Sequence, residues 1–342
     1  MATLGNTELT LAEILRREDP KGQLRDITDV ISKVNQFQDS TWIECNNGTY
    51  HEDGRLVSKP AGSLRIYGTG VSGESAITEV ITEPTQMLAG LSKVDAKKIE
   101  HSANPAGLRA QEDGFFISGM WETHLAHIFT GNRATNPIQI NGINNRADYN
   151  TLSSDYVYDN AGGNASATAN KTSIYIVQWG AKKVNLTYPR NDSPAGGSMP
   201  IKVEDYSKDL ETDPNASTKQ LPMYRTWFEV NNGLFIHDPR CIKRIVNIST
   251  SNIDGVDDFS FDEEVLIDAY NDMEYGGEGA VIYCNRTVKA QIMKRANVKG
   301  NAYYATQMEG EGPFARPVTR FWGIPVRELS TTTIPNTGAQ IT

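Results

Sequence analysis

The chain has 342 residues, 42 acidic against 33 basic side chains, a formal net charge of -9 at pH 7 and 38% hydrophobic content. That length and texture describe a globular chain with one large core or two to three smaller ones, and exclude a disordered or fibrous protein. The acidic balance excludes a protein that grips nucleic-acid phosphates over its whole surface, while leaving one local face free to do so.

The N-terminus, MATLGNTELTLAEILRRE, carries no basic-then-apolar leader, so no signal peptide is expected. No apolar run reaches the length of a membrane span, and no membrane partner is expected. A threonine cap and the spacing of Leu11, Ile14 and Leu15 predict a short helix over 10–18. After the break at DPKG, Leu24, Ile27, Val30, Ile31 and Val34 predict an amphipathic second helix. With no core of their own, these two helices read as an arm that lies along the body or a neighbour.

From Asn46 the texture turns polar. NNGTYHEDGRLVSKPAGSLRIYG predicts two strands around a turn at KPAG, studded with Glu52, Asp53, Arg55, Lys59 and Arg65. A hairpin so polar projects into solvent or lies on another chain. Residues 105–131 are the strongest helix in the sequence, with Ala110, Ile117, Trp121, Leu125 and Ile128 on one stripe, flanked by Phe116, Met120 and Phe129. Gly131 can end that helix. About forty Asn- and Gly-rich residues follow, a loop long enough to be functional. Strands return in SIYIVQWGAKKVNLTYP, MYRTWFEVNNGLFIHD and CIKRIVNIS, then a helix in SFDEEVLIDAYNDMEY, a buried strand AVIYC, a helix RTVKAQIMKRA capped by Asn285, and a strand FWGIPVREL.

Several patterns invite a chemical reading. GTGVSG at 68–73 has the G-x-G-x-x-G spacing of a dinucleotide cradle, with Asp95 where a ribose would be held. Yet Arg65 interrupts the preceding segment, and AITEVIT after it is β-branched, so the helix N-terminus that would bind the phosphate is not expected. Glu122, His124 and His127 offer three metal ligands within two helical turns, but His124 falls on the apolar stripe and reads as a packed core histidine. His237 and Cys241 lack a third orienting group, so a hydrogen-bonded turn histidine is the better reading. Asp254, Asp257, Asp258, Asp262, Glu263 and Glu264 lack the alternation of a calcium loop and read as a helix cap. The three cysteines, Cys45, Cys241 and Cys284, form no CxxC pair, which suits a reducing compartment. Neither a cofactor, a metal nor a catalytic constellation is expected.

The order of elements says more than any single motif. A helical arm, a polar hairpin, a long apolar helix ending in GNRATNPIQINGI, the unit AVIYCNRTVKAQIMKRA and the strand Phe321 to Val326 follow one another along the chain. This order resembles the tailed-phage major capsid proteins of the Hong Kong 97 type, in particular their podophage-like subfamily. The matching residues are Gly131–Asn132, Pro137 and Gly142–Ile143 after the long helix, the opening TLAEILRREDPKGQLRDITDVISKVN, and WIECN at 42–46. One feature departs from the prototype: TWFEVNNGLFIHDPRCIKRIVNIS precedes the domain that such strands normally follow.

The resemblance implies an α+β fold with an N-terminal arm (1–44), an extended β-hairpin loop (45–85), a peripheral domain (86–250) with a spine helix at 105–131, an axial domain (251–330) and a tail (331–342). It implies a non-enzymatic subunit that forms pentamers and hexamers of an icosahedral shell around packaged double-stranded DNA, with no sequence-specific DNA contact. Further implied partners are a portal at one vertex and scaffold and decoration proteins. The place implied is the virion, assembled in the host bacterial cytoplasm. Glu52, Asp53, Arg55, Lys59 and Arg65 become candidate inter-subunit contacts. Gly68, Gly70 and Gly73 become a candidate hinge where the hairpin returns to the spine helix. The alternatives are a non-viral compartment shell on the same fold and a dinucleotide-binding enzyme resting on GTGVSG and Asp95.

Overall fold

A computed structural model describes residues 37, 39–102, 104–162, 170–192, 201–213, 216–250, 259–296, 304–309, 316–338 and 340–341. The two arm helices expected over 10–34, and Asp254, Asp257 and Asp258, lie outside the described residues. The strands are β1 (Trp42–Glu44), β2 (Tyr50–Ser58), β3 (Ile77–Pro84), β4 (Gln86–Asp95), β5 (Val157–Asp159), β6 (Lys171–Gln178), β7 (Val184–Tyr188), β8 (Ile201–Asp213), β9 (Ala216–Ile236), β10 (Ile242–Ser249), β11 (Ala280–Asn285), β12 (Tyr304–Glu309), β13 (Arg316–Phe321) and β14 (Ile324–Leu329). The helices are α1 (Ala96–Glu100), α2 (Pro105–Thr130), α3 (Glu263–Asn271) and α4 (Arg286–Ala296).

The chain divides into two compact units. The described residues of the first fall in Met87–Ala126 and Pro194–Asn231. There β8 pairs antiparallel with β9 from Ile201↔Val230 to Asp213↔Ala216, and β4 lies beside β9. One face of this sheet carries Leu88, Phe228 and Val230, on which α2 packs Phe116, Ile117 and Met120, with the Phe116 and Phe228 rings stacked at 5.5 Å. Near the start of α2, Leu108 packs on Val94, Ile99 and Tyr224. Ala110, expected on the apolar stripe, is exposed, because Leu108 faces the core in this turn of the helix instead.

The second unit comprises Asn35–Gln86, His127–Ser193 and Asn232–Thr342. Its sheet has the order β12-β13-β14-β11-β6-β10-β5, with β11 parallel to β14 and antiparallel to β6. β6, β10 and β11 are buried at every residue. The apolar runs of β11 and of the middle of β6 suit cover on both faces, whereas β10 also buries Lys243, Arg244 and Asn247, which find partners in Asp272, Tyr149 O and Asp159. α3 and α4 bring Leu266, Ala269, Val288 and Ile292 against Ile174, Ile176, Ile245 and Ile282. Tyr175 and Tyr283, the alternate side chains, meet Phe129, and Phe37 packs on Phe129, Trp179 and Tyr283. Asn285 caps α4 as expected, its Oδ1 accepting from the Val288 N–H at 3.0 Å.

Two boundaries differ from the sequence reading. A division at 250/251 cuts through one sheet, since β6, with β10 and β5 beyond it, pairs with β11 on the far side of that division. TWFEVNNGLFIHDPRCIKRIVNIS therefore does not form one sheet region: β10 joins β6, and only β9 reaches the first unit. The span Phe321 to Val326 is not one strand either. Phe321 ends β13, Trp322 (φ +51°) and Gly323 (φ +81°) turn the chain, and β14 starts at Ile324.

Candidate subunit-contact hairpin

The polar hairpin exists, but its strands are not those around KPAG. β2 pairs antiparallel with β3 from Tyr50↔Pro84 to Ser58↔Ile77. The segment SLRIYG, expected as the second strand, instead lies inside an apical segment running from residue 59 to 76. Pro60 and Gly62 break pairing on that side, whereas ITEVITEP supplies the β-branched partner. The apical segment is held mainly by its own polar groups. Glu74 accepts from the Gly62 N–H at 3.0 Å, and Ile66 O accepts from Thr69 N–H and Oγ1 at 3.1 and 2.8 Å.

Its surface is unexpectedly apolar. Leu64 and Tyr67 are fully exposed (106% and 99%), and Ile66 is 77% exposed. Val71 adds to it within the apex, and Leu56, Val57, Ile77 and Val80 extend the exposure down the ribbon. Exposed apolar side chains grouped on one projecting element mark an interaction surface.

The root of the ribbon is tied to the second unit by polar contacts. The Thr85 N–H donates to Thr49 O at 2.9 Å, and the Glu52 N–H to Asn46 Oδ1 at 2.9 Å. On β3, Glu83 meets Arg146 at 2.5 Å. On β2, Asp53 Oδ2 lies 2.8 Å from His237 Nδ1. His51 stands edge-on to the Phe235 ring at 4.6 Å, with its centroid 5.9 Å from that of His237. A cleft of about 1000 Å³ opens beside this root, lined among others by Arg55, Lys59, Lys182, Asp238 and Arg240.

The charges of the root are arranged to be satisfied. Burial raises the Asp53 carboxyl, but the hydrogen bonds from His237 and the Gly54 N–H outweigh it and hold the group below its ordinary value. Burial likewise raises Asp238, and its pairing with Arg240 brings it below its ordinary value. His51 is lowered, first by burial and then by the neighbouring His237. The fold therefore favours neutral His51, a preference fully present above the ordinary 6.5 and lost as pH falls through the lowered folded value. Thermal stability should accordingly decline from about pH 6.5 downwards, with a shallower decline in His51→Gln. Melting both proteins from about pH 8 to about pH 5 tests this, and equal slopes would remove His51 from the account.

The sequence-selected residues divide accordingly. Asp53 and Arg55 are engaged within the chain, Arg55 pairing with Glu79 directly across the ribbon. Glu52 is half-buried, with its backbone held by Asn46. Lys59 and Arg65 lie exposed at the apical segment, with no ion pair among the described residues. Gly68, Gly70 and Gly73 lie in that segment too, so the place read for them, at the return towards the long helix, is corrected to the far end of the hairpin.

The other candidate chemistries resolve into structure. GTGVSG is followed by β3 rather than by a helix, and Asp95 caps α1 by accepting from the Lys97 N–H at 2.9 Å. His124 is fully buried, and His127 Nδ1 lies 3.1 Å from Gln86 Oε1. Among the described residues no group of three or more metal-ligating side chains is present, and no helix is long and apolar enough to cross a membrane. Burial pushes the Cys241 thiol up to about 12, which disarms it as a nucleophile. Asp262 caps α3 through the Glu264 N–H at 3.1 Å. Sequence reasoning missed Arg146 and the apolar apex. The apex had one usable signal: Leu64, Ile66 and Tyr67 crowd into a short stretch closed off by Pro60, Gly62 and Gly68.

Comparison with known proteins agrees with this architecture. The family model for Major capsid protein GP7 matches residues 19–342. The chain belongs to the Major capsid protein GP7 family. Among solved structures, a chain of bacteriophage Epsilon15 determined by cryo-EM matches with a TM-score of 0.74 and 27% identity, covering 100% of both chains. The bacteriophage JBD30 capsid matches at 0.48 and 12%, over 89% of this chain and 93% of that one. The holo-SrpI encapsulin complex from Synechococcus elongatus PCC 7942 matches at 0.42 and 10%, over 62% and 86%. No curated protein sequence matches. As a GP7-family capsid protein with the α+β Hong Kong 97-type fold, the chain is a structural component of the virion shell. The dinucleotide-enzyme reading falls with the fold of 68–84 and with the family.

Proposed function

We propose that this capsid protein closes into pentamers and hexamers of an icosahedral shell enclosing the double-stranded DNA genome of a tailed bacteriophage, and that its hairpin reaches over an adjacent copy. The observation that carries this reading is the apical segment, with Leu64, Ile66 and Tyr67 presented to solvent at the end of a two-stranded ribbon. An isolated ribbon has no reason to display such residues unless another surface covers them. Closed shells repeat the same contacts on every copy, so one projecting element can serve all of them.

The magnitudes favour apolar docking over charge pairing. Fully burying one such side chain is worth about 2 kcal/mol, whereas an exposed ion pair is worth roughly 0–1 kcal/mol. Lys59, Arg65 and the half-buried Glu52 then act on register and partner choice. The exposed glycines Gly68, Gly70 and Gly73 let the apex re-orient between unequal shell environments. The seven-stranded unit corresponds to the axial domain and the unit built on α2 to the peripheral domain. The role is structural and non-catalytic, since the candidate catalytic groups are used in caps, packing and ion pairs. Further partners are a portal at one vertex, scaffold and decoration proteins, and packaged DNA touched without sequence specificity. Assembly takes place in the host bacterial cytoplasm.

Negative-stain microscopy of the purified protein, alone and co-expressed with a scaffold encoded beside it, tests the reading. Uniform polyhedral particles are expected. Monomers alone under both conditions would overturn it.

A further inference from the structure

The hairpin can dock reproducibly only if its direction is set where it leaves the body. A two-stranded ribbon has no neighbour strand to stiffen it sideways, so its root contacts decide where the apex points. From Glu83 to Ile77 the ribbon rises about 20 Å. A rotation of about 10° at the root therefore moves its far end by about 3–4 Å, enough to miss a side-chain pocket.

One side chain meets three separate pieces of structure at this root. Arg146, 13% exposed, pairs through Nη1 with Glu83 of the hairpin at 2.5 Å. Its Nε donates to Asn141 O, in the loop after α2, at 3.2 Å. Its Nη2 donates to Leu234 O of β9 at 3.3 Å. Hairpin, loop and sheet are thus joined by one planar, rigid group, and its three acceptors fix a direction as well as a distance. The opposite strand is held less firmly, by Asp53 with 48% of its side chain exposed.

We propose that Arg146 is the positioning residue that sets the hairpin's angle on the second unit, and through it the curvature and size of the shell. This rests on the reading of the hairpin as the element that docks on an adjacent copy. Lysine at 146 keeps the charge opposite Glu83 but cannot hold three diverging acceptors. A Lys variant and a neutral variant therefore separate orientation from simple charge pairing.

The test compares Arg146→Lys, Arg146→Gln and Glu83→Gln with the unaltered protein, in assembly followed by cryo-EM sizing of the particles and in thermal unfolding of the free subunit. Ile66→Asp serves as the docking control. The expected result is folded subunits in all three root variants, with particle diameters spread over several classes or open sheets, and with Arg146→Lys unable to restore the single wild-type class. Arg146→Gln shells of wild-type diameter and uniformity would overturn the assignment. So would restoration by Arg146→Lys, which would leave charge pairing alone. Loss of folding in Arg146→Gln together with uniform shells from Glu83→Gln would reduce Arg146 to a fold-stabilising role and overturn it likewise. If Ile66→Asp itself forms normal shells, the docking reading of the hairpin fails first. With Ile66→Asp defective and the root variants normal, only the role of Arg146 falls.

Discussion

Replacing residues 59–76 by an Asn-Gly turn is expected to leave a folded subunit that no longer closes shells. The cut spares all the paired residues, because β2 and β3 meet from Tyr50↔Pro84 to Ser58↔Ile77 and the removed segment lies beyond them. Asn-Gly is the turn that joins two antiparallel strands with the right twist. The removed residues include Leu64, Ile66 and Tyr67, which contribute almost nothing to the fold because solvent already surrounds them. The thermal midpoint of the subunit should therefore change little. Assembly should change greatly: losing about 2 kcal/mol at a contact lowers its association constant roughly 30-fold, and a closed shell repeats that loss at every copy. Ile66→Asp should reproduce most of the effect without shortening the chain. Removing 50–66 instead would strip β3 of its partner and expose its hydrogen-bonding edge, so a failure to assemble would then say nothing about docking. The measurements are thermal unfolding of the subunit and light scattering with microscopy of the assembly. Normal shells from the 59–76 replacement would show that the apex plays no part in assembly.

The reach of the sequence is easiest to see at this same hairpin. That a polar ribbon projects, and that AITEVIT is extended, follow from composition and β-branching alone. The register does not: KPAG and the apical glycines are equally good turns, and only the competition between SLRIYG and ITEVITEP for β2 decides between them. The charged residues were attractive as inter-subunit contacts because a sequence does not show which charges already have partners. Arg55 finds Glu79 and Asp53 finds His237, 184 positions away. Periodicity located α2 to within a residue, and the apolar runs of β11 and of the middle of β6 announced buried strands, while β10, with Lys243, Arg244 and Asn247, is buried without such a run. β8, with its alternating charges, and β12 and β13 gave no comparable signal. The split of the chain into two units was illegible for a different reason. Three of the crossings, at 86/87, 126/127 and 231/232, fall inside β4, α2 and β9, where no linker marks them. The fourth within 37–342, at 193/194, lies in DSPAGGSMP, one loop-like stretch among several in the chain.

The glycines teach the opposite lesson about room, and they carry the second large expected effect. Gly142→Ala should lower the apparent thermal midpoint by about 4–6 °C, or leave the protein insoluble, while Gly70→Ala should be close to neutral for folding. A methyl group on Gly70 would meet nothing within 4 Å. On Gly142 it would stand 2.7 Å from both Gly131 N and His127 O, and on Gly131 it would stand 2.5 Å from His127 O and 2.7 Å from Ile140 O. All of these are backbone atoms, so no side-chain rotation relieves the clash. The two glycines are the place where the loop after α2 closes back onto the helix end, with Gly142 N–H donating to Gly131 O at 2.9 Å. Asn145 completes the closure, its Nδ2 donating to Thr130 O and Gly131 O at 2.9 and 2.8 Å. Prising the loop away would break these bonds together with the seat of Ile140, whose N–H donates to Gln86 Oε1 at 3.2 Å. A cost of about 3 kcal/mol is the scale for forcing a methyl into filled space. The loop also carries Arg146, so any Gly142→Ala protein that still folds should form shells of mixed diameter. Thermal unfolding of the two alanine variants side by side checks the contrast, and a midpoint for Gly142→Ala within about 2 °C of the parent would mean that the loop yields where its backbone contacts say it cannot.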